Sequence, residues 1–95
     1  MEISSSSNIV TIKGNIKSIG DFQEIKNSID TLINTHKNLI IELKESISIT
    51  SSVLGYFNKL ILKDGIKISL HVKDIQLISL LDDLNLSQVF NIKKV

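Results

Sequence analysis

The sequence contains no cysteine, no proline and no tryptophan. Without cysteine, the chain can form neither a disulfide framework nor a thiolate metal site. The absence of disulfides fits a protein of a reducing compartment. The two histidines, His36 and His71, lie far apart and have no ligand-type neighbours at close spacing. Because a zinc site needs three or four such ligands, we expect no metal, and nothing in the sequence indicates another cofactor.

Aromatic residues and an excess of one charge are also scarce. The aromatic fraction is 4%, and 11 basic residues against 10 acidic ones leave a net charge of +1. The charge balance provides no electrostatic footprint for nucleic acid. The scarcity of aromatic side chains leaves no stacking platform for single strands. Apolar runs are far too short to cross a bilayer, and the N-terminal segment does not resemble a signal peptide. We therefore expect a soluble cytoplasmic protein that binds neither nucleic acid nor membrane.

The aliphatic content is sufficient for one hydrophobic core. The chain has 95 residues, of which 42% are hydrophobic, and it shows no linker or internal repeat. A chain of this length and composition predicts a single domain that spans residues 1–95.

Four segments have the pattern of strands. Ile66–Val72 alternates apolar and polar residues, which is the clearest strand signal. Leu39–Leu43 is nearly continuously apolar, as in a strand that is covered on both faces. Ile9–Ile12 and Val89–Ile92 predict shorter strands. Ser4–Asn8 predicts a turn or a loose connection that follows a first short strand.

Three segments have helical periodicity. Asp21 is the predicted N-cap of the first helix, with Glu24 completing a capping box. The second helix is predicted to begin near Thr50 and to end at Gly65, and the third to begin at Asp74. The residues predicted to face inward from the third helix are Ile75, Ile78, Leu81 and Leu84. Strands that alternate with helices predict an α/β fold with a mixed sheet of four to five strands and three to four helices.

The richest local feature is the segment Ile49–Gly55, which follows a predicted strand and opens a predicted helix. Its three hydroxyl side chains, Thr50, Ser51 and Ser52, can satisfy the free N–H groups of a helix start. Alternatively, one hydroxyl is exposed for phosphorylation, which adds about −1.5 to −2 charges. A helix N-terminus favours such a charge by up to about 1 kcal/mol.

The apolar run Leu39–Leu43, the loop after it and the segment Ile49–Gly55 together resemble the signature of STAS domains. This family takes its name from sulfate transporters and anti-sigma-factor antagonists. Its usual pattern is an apolar strand ending in Asp-Leu, a short loop, then an apolar residue and Asp-Ser-Ser-Gly-Leu-Gly. The resemblance extends to the early strand with Gly14, the Gly65 turn and the last helix with its Leu84–Leu86 end.

The resemblance implies partner switching. Free-standing family members bind a kinase-like anti-sigma factor, which is a serine-kinase-like ATPase, and thereby regulate transcription in bacteria. The ATPase phosphorylates a serine at the start of this helix, the phosphate weakens binding, and a phosphatase restores it. By position, Ser51 matches the phosphorylated serine and Ser52 the serine after it. The implied partner-binding segment comprises Thr50, Ser51, Ser52, Val53, Leu54 and Gly55.

Two residues depart from the family pattern. Thr50 stands where the family has Asp, and Val53 stands where it has the first Gly, which would place a branched side chain near the partner surface. These departures leave two alternatives open. Thr50 is phosphorylated instead of Ser51, or the chain is an accessory STAS subunit of a transport or signalling complex that is never phosphorylated.

The sequence offers little for catalysis. It contains no nucleophile–base pair, no metal cluster and no phosphate-cradling glycine loop, so we do not expect an enzyme. Adjacent residues Asp82 and Asp83 would point to different sides of a helix, and Glu42 and His71 are expected to reach solvent. An exposed strand near the N-terminus suggests that two chains form a homodimer.

Overall fold

The computed structural model describes residues 1–95, which form one five-stranded mixed sheet and three helices. This confirms the predicted α/β class. None of the helices combines the length and the apolar character that a bilayer-crossing segment needs. The strands are β1 (Glu2–Ser6), β2 (Ile9–Lys13), β3 (Asn38–Lys44), β4 (Lys67–Val72) and β5 (Ile92–Lys94). The helices are α1 (Ile19–Leu32), α2 (Ser51–Leu62) and α3 (Ile75–Asp83).

The strands lie in the sheet in their chain order, β1-β2-β3-β4-β5. β1 is antiparallel to β2, and the other three pairings are parallel. Each parallel connection runs through one helix, and right-handed crossovers between successive neighbours place all the helices on one face. The burial pattern agrees, because only alternate strand residues are fully buried. The buried strand residues are Val10, Ile12, Leu39, Ile41, Leu43, Ile68, Leu70 and Val72.

The other face of the sheet is not covered by any helix. Ile40 and Glu42 of β3 lie on this open face and are only half-buried. The prediction that β3 is covered on both faces was therefore wrong. Its unbroken apolar run arises because Ile40 is an apolar residue on the open face, next to its register partner Ile9 on β2.

The helices complete the core from the covered face. Phe57 of α2 and Phe90, which follows α3, are fully buried, and their rings meet edge to face at a centroid distance of 6.0 Å. From α3 the buried residues are Leu77 and Leu81, whereas the predicted Ile75 is 67% exposed. The helix begins directly after its N-cap Asp74, and this start turns the 77–81 side toward the sheet. Of the residues predicted to face inward, Leu81 is buried, Ile78 packs partly on the core, and Leu84 is exposed.

Helix α1 begins earlier than predicted. Ser18 is its N-cap, and the capping box joins Ser18 to Asp21 rather than Asp21 to Glu24. The Asp21 amide donates to Ser18 Oγ at 3.0 Å, and the Asp21 carboxylate accepts from the amides of Lys17 and Ser18. These amide hydrogen bonds, above all the one from Lys17, hold the pKa of Asp21 below its ordinary value. The carboxylate is thus bound at the third helical position, where it also complements the helix dipole.

The serines near the N-terminus are in a strand, not in a loop. β1 continues through Ser6, and Ser4 pairs with Thr11 of β2. The turn is confined to Ser7, which has a φ of 56°, and Asn8. Serine has weak strand propensity, so this strand forms because β2 offers it a row of backbone hydrogen bonds, which local sequence does not reveal.

The last strand also differs from its prediction. β5 is Ile92–Lys94, whereas the predicted Val89–Ile92 segment consists mostly of turns. Phe90 is fully buried from within these turns, and Asn91 has a φ of 48°. Of the apolar residues that suggested a strand, Phe90 fills the core after α3, Val89 is 41% exposed, and Ile92 begins the pairing with β4.

Candidate partner-binding site

Two loops at the carboxyl ends of β2 and β3 build the site, and hydrogen bonds fasten them to each other. Ser46 is 1% exposed, and its Oγ donates to the Gly14 carbonyl at 2.7 Å. The Gly14 amide donates to the Lys44 carbonyl at 2.9 Å, and the Ile47 amide donates to Asn15 Oδ1, also at 2.9 Å. Gly14 has a φ of +95°, a conformation that glycine adopts without strain. Because the loops are joined, the helices that follow them, α1 and α2, begin next to each other.

Thr50 is the N-cap of α2. Its backbone is extended, and its Oγ1 accepts a hydrogen bond from the Val53 amide at 3.4 Å. The sequence predicted a hydroxyl cap without distinguishing Thr50 from the two serines after it, and the structure selects Thr50. The oxygen of this side chain is therefore engaged with the helix start.

Ser51 and Ser52 form the exposed start of the first turn, and neither hydroxyl makes a hydrogen bond within the protein. Val53, in contrast, is 0% exposed and packs in the core. Its side chain thus faces away from any partner, which corrects the expectation that it lies near the partner surface. Leu54 is half-buried against the core, and Gly55 is exposed. The predicted segment therefore divides into residues that anchor the helix, Thr50, Val53 and Leu54, and an accessible strip of Ser51, Ser52 and Gly55.

A small cavity of about 110 Å³ separates the starts of α1 and α2. From α2 it is lined by Thr50 and Ser52, and across from them lie Lys17 and the 80%-exposed side chain of Ile19. Ser18 and Phe22 complete the lining. Sequence reasoning missed Lys17 and Ile19 as part of this surface. The signal that could have found them is the Ser18-to-Asp21 capping box, which puts Ile19 at the first position of α1, outside its apolar stripe.

The start of α2 favours an anion. The first turn of α2 has no acidic residue, so the partial positive charge of its N–H groups is not offset. Lys17 adds a positive charge at the cavity wall that Ser52 shares, and the Asp21 carboxylate, bound by the amides of Lys17 and Ser18, adds a negative one at the start of α1. A phosphate or carboxylate brought to this strip would meet the helix end and a lysine together.

Gly55 is an exposed glycine within α2 that the fold does not require. A Cβ built on it would have no atom within 4 Å. Because an exposed glycine in a helix costs about 0.5–1 kcal/mol relative to alanine, we expect Gly55→Ala to raise the free energy of unfolding by about that amount. Urea denaturation checks this, and a destabilised variant would contradict it. A partner that packs closely on this turn would give the glycine its role, and binding to such a partner should then weaken in the same variant.

Tyr56, one residue further on, holds α2 to α1. Its hydroxyl donates to the Asp30 carboxylate, and its ring meets Phe22 edge to face with centroids 6.2 Å apart. Lys26 forms an ion pair with Asp30 at 2.7 Å and lies 5.8 Å from the Tyr56 ring centroid. Tyr56 is 5% exposed, and although sequence reasoning did not include it in the core, it fixes the relative positions of the two helices.

This contact shifts the pKa values of both acidic groups. Partial burial alone would raise the pKa of Asp30, but hydrogen bonds from Lys26 and Tyr56 outweigh it and hold that pKa below its ordinary value. Burial, followed by the hydrogen bond to Asp30 and its negative charge, raises the pKa of Tyr56 far above its ordinary value of 10.0. The pair therefore consists of an ionised carboxylate and a neutral phenol over a wide pH range.

The remaining candidate residues lie elsewhere. Glu42, on the open face of the sheet, accepts a hydrogen bond from Thr11 Oγ1 at 3.1 Å and has His71 as its register partner on β4. Glu42 is thus half-buried and bonded rather than free in solvent. Asp82 accepts from Ser87 Oγ at 2.9 Å near the end of α3, and Asp83 is exposed there.

No family model, curated protein or solved structure matches this chain. Its resemblance to STAS domains therefore stays a prediction, which depends on the motif and on the site geometry described above.

Proposed function

We propose that this chain is a STAS-type regulatory module that binds another protein through the start of α2. In this role it acts as an anti-sigma-factor antagonist in the cytoplasm, and its partner is a kinase-like anti-sigma factor. The observation that carries the proposal is that the three hydroxyls at the start of α2 have different roles. Thr50 caps the helix, while Ser51 and Ser52 are exposed and have no structural bond.

Phosphorylation of Ser51 is compatible with this geometry. A phosphoryl group at the first helical position would lie near free backbone N–H groups, and no acidic side chain in the first turn would repel it. The fold would remain intact while the surface gained about −1.5 to −2 charges. Thr50 is the less favourable acceptor, because its oxygen is the cap, and losing a cap costs about 1 kcal/mol.

Ser51→Asp, which imitates the charge, should weaken the complex with the cognate kinase-like partner at least tenfold, or about 1.4 kcal/mol. The free energy of unfolding should change by less than about 1 kcal/mol, since a carboxylate suits a helix N-terminus. Isothermal titration calorimetry and urea denaturation measure the two quantities. Gln76→Asp is the matched control, because it adds the same charge to the first turn of α3. Unchanged affinity in Ser51→Asp would contradict the proposed contact surface.

The second candidate function is a non-phosphorylated accessory STAS subunit of a transport or signalling complex. The observation that favours it is Thr50, whose hydroxyl is engaged as the cap at the position where the family has Asp. Incubation with the kinase-like partner and ATP, followed by intact-mass measurement, separates the two functions. An added phosphate supports the antagonist. An unmodified chain that is recovered with transporter subunits in a pull-down supports the accessory subunit.

A further inference from the structure

The two edges of the sheet differ in how well they are protected against pairing with another strand. β1 forms one edge and β5 forms the other. β5 is very short and carries Lys93 and Lys94, which discourage a further strand. β1 is longer, pairs with β2 without a bulge, and has a single charged residue, Glu2, at its end. Lysine, proline and a bulge, which commonly block an edge strand, are all absent from β1.

The hydrogen bonds between β2 and β3 fix the direction of every main-chain group along β2. The Ile40 amide donates to the Asn8 carbonyl at 3.0 Å, and the Gly14 amide donates to the Lys44 carbonyl at 2.9 Å. In a regular strand the N–H and C=O groups of one residue point to the same side, and successive residues alternate. Along residues 8–14, the even-numbered residues therefore point these groups toward β3, and the odd-numbered residues point them toward β1.

The register then shows which main-chain groups of β1 remain free. The partners of the odd-numbered residues of β2 are Glu2, Ser4 and Ser6, so these residues bond to β2. Ile3 and Ser5 alternate with them, and their N–H and C=O groups therefore point outward from the edge. None of the main-chain hydrogen bonds that lie outside the helices and strands reaches these groups. The edge thus offers both donors and acceptors to another strand.

We propose that β1 pairs with β1 of a second copy of this chain, antiparallel and about a two-fold axis at Ser4. At this register Ile3 of each copy lies opposite Ser5 of the other, so every outward-pointing N–H and C=O of these residues is bonded. The edge is its own complement, as a two-fold interface requires, and for this reason we choose a second copy as the occupant. The two sheets join into one continuous sheet.

Charge and turn geometry favour an axis at Ser4 over the neighbouring positions. An axis at Ile3 would bring the two copies of Glu2 to about 8 Å from each other, whereas the axis at Ser4 keeps them about 14 Å apart, where salt screens their repulsion. An axis at Ser5 would set Ile3 opposite Ser7, whose φ of 56° takes it out of the strand. At the chosen axis the two Ser4 side chains are direct cross-strand neighbours, and such hydroxyl pairs hydrogen-bond.

Sedimentation velocity of the full chain, from about 10 µM to about 1 mM, tests this pairing, because one short strand pair predicts a dissociation constant of about 0.1 mM. Ser5→Pro removes an outward N–H but no hydrogen bond to β2, and should weaken dimerisation at least about tenfold. Ser5→Ala is the matched control, because it alters the same side chain and keeps the N–H. Its dissociation constant should equal that of the unaltered chain. Thermal unfolding at low concentration checks the fold of Ser5→Pro, whose Tm should change by less than about 5 °C.

A charge exchange at Ser4 tests the axis without a proline. Ser4→Lys and Ser4→Glu each place like charges opposite each other, and each should dimerise about threefold more weakly than the unaltered chain at low salt. An equimolar mixture of the two variants should form a mixed dimer that is tighter than either variant alone. The edge contains no residue of the proposed contact surface, so the inference does not depend on partner switching, and Ser51→Asp should leave dimerisation unchanged.

Three outcomes would overturn the proposal. A chain that is monomeric at about 1 mM would do so and would leave the edge to a strand of a different protein. Equal association of Ser5→Pro and Ser5→Ala would locate the contact on another surface, such as the open face of the sheet. Equal association of the Ser4 mixture and the single variants would refute the axis.

Discussion

Replacing Phe57 with alanine is expected to lower the free energy of unfolding by about 3–5 kcal/mol. Phe57 is 0% exposed and packs between the rings of Phe90, at a centroid distance of 6.0 Å, and Tyr56, at 6.3 Å. The substitution removes an aromatic side chain and leaves a cavity that the sheet cannot collapse to fill. Because small domains are stable by only about 5–15 kcal/mol, the variant should lose a large part of its stability.

Urea denaturation followed by circular dichroism measures this loss. Phe57→Leu is the matched control, and its loss should be smaller because leucine fills most of the cavity. Phe22→Ala is a second control. Its loss of stability should also be smaller than that of Phe57→Ala, because Phe22 is only partly buried and its removal lets water reach the gap. A loss below about 1 kcal/mol in Phe57→Ala would contradict the packing of α2 described here. The consequence for function is direct, because α2 carries the proposed contact surface at its first turn.

Tyr56 is expected to remain un-ionised well above pH 10 for as long as the protein is folded. Burial and the bonded Asp30 carboxylate both oppose a phenolate, and together they raise the pKa of Tyr56 far above its ordinary value of 10.0. Tyr56 is the single tyrosine of the chain, and there is no tryptophan, so the ultraviolet absorbance of tyrosinate reports on this residue alone. We expect this absorbance to appear together with unfolding, rather than as a separate titration near pH 10.

The sign of the accompanying stability change follows from linkage. A group whose pKa is raised in the folded state contributes stability that is present below its unfolded value, here 10.0, and that declines as the pH rises above it. Asp30 has the opposite sign, because its lowered pKa contributes stability above its unfolded value of 3.8 that is lost as the pH falls through the folded pKa. The contact between Tyr56 of α2 and Asp30 of α1 should therefore weaken at both low and high pH.

Tyr56→Phe separates this effect from the deprotonation of lysines at high pH. At neutral pH the variant should be less stable by only about 1 kcal/mol, because Asp30 is 38% exposed and water replaces the lost hydrogen bond. The difference in unfolding free energy between the two proteins should shrink as the pH rises above 10. Tyrosinate absorbance that develops near pH 10 while the circular dichroism remains native would contradict the buried contact.

The sequence by itself determined the features that depend on neighbouring residues in the chain. Alternation in Ile66–Val72 identified β4 and its buried side, because strand side chains point to opposite faces with a period of two. The hydroxyls at 50–52 located the start of α2, because unsatisfied N–H groups must be capped close by. The order of helices and strands then gave the α/β class, since crossover helices join parallel strands.

Other features were decided by contacts between distant parts of the chain. Ser4–Ser6 forms a strand only because β2 lies beside it, and Ile40 lies next to Ile9 on the open face only because of the register between β2 and β3. The site itself depends on the hydrogen bond between Ser46 and Gly14, which are 32 positions apart. This hydrogen bond joins the loops before α1 and α2, so that Ser52 lies across a cavity from Lys17. Local periodicity carries no information on such pairings, because each one is fixed by how the helices and strands pack. Tertiary structure therefore decided which residues of the segment Ile49–Gly55 are anchors and which are available to a partner.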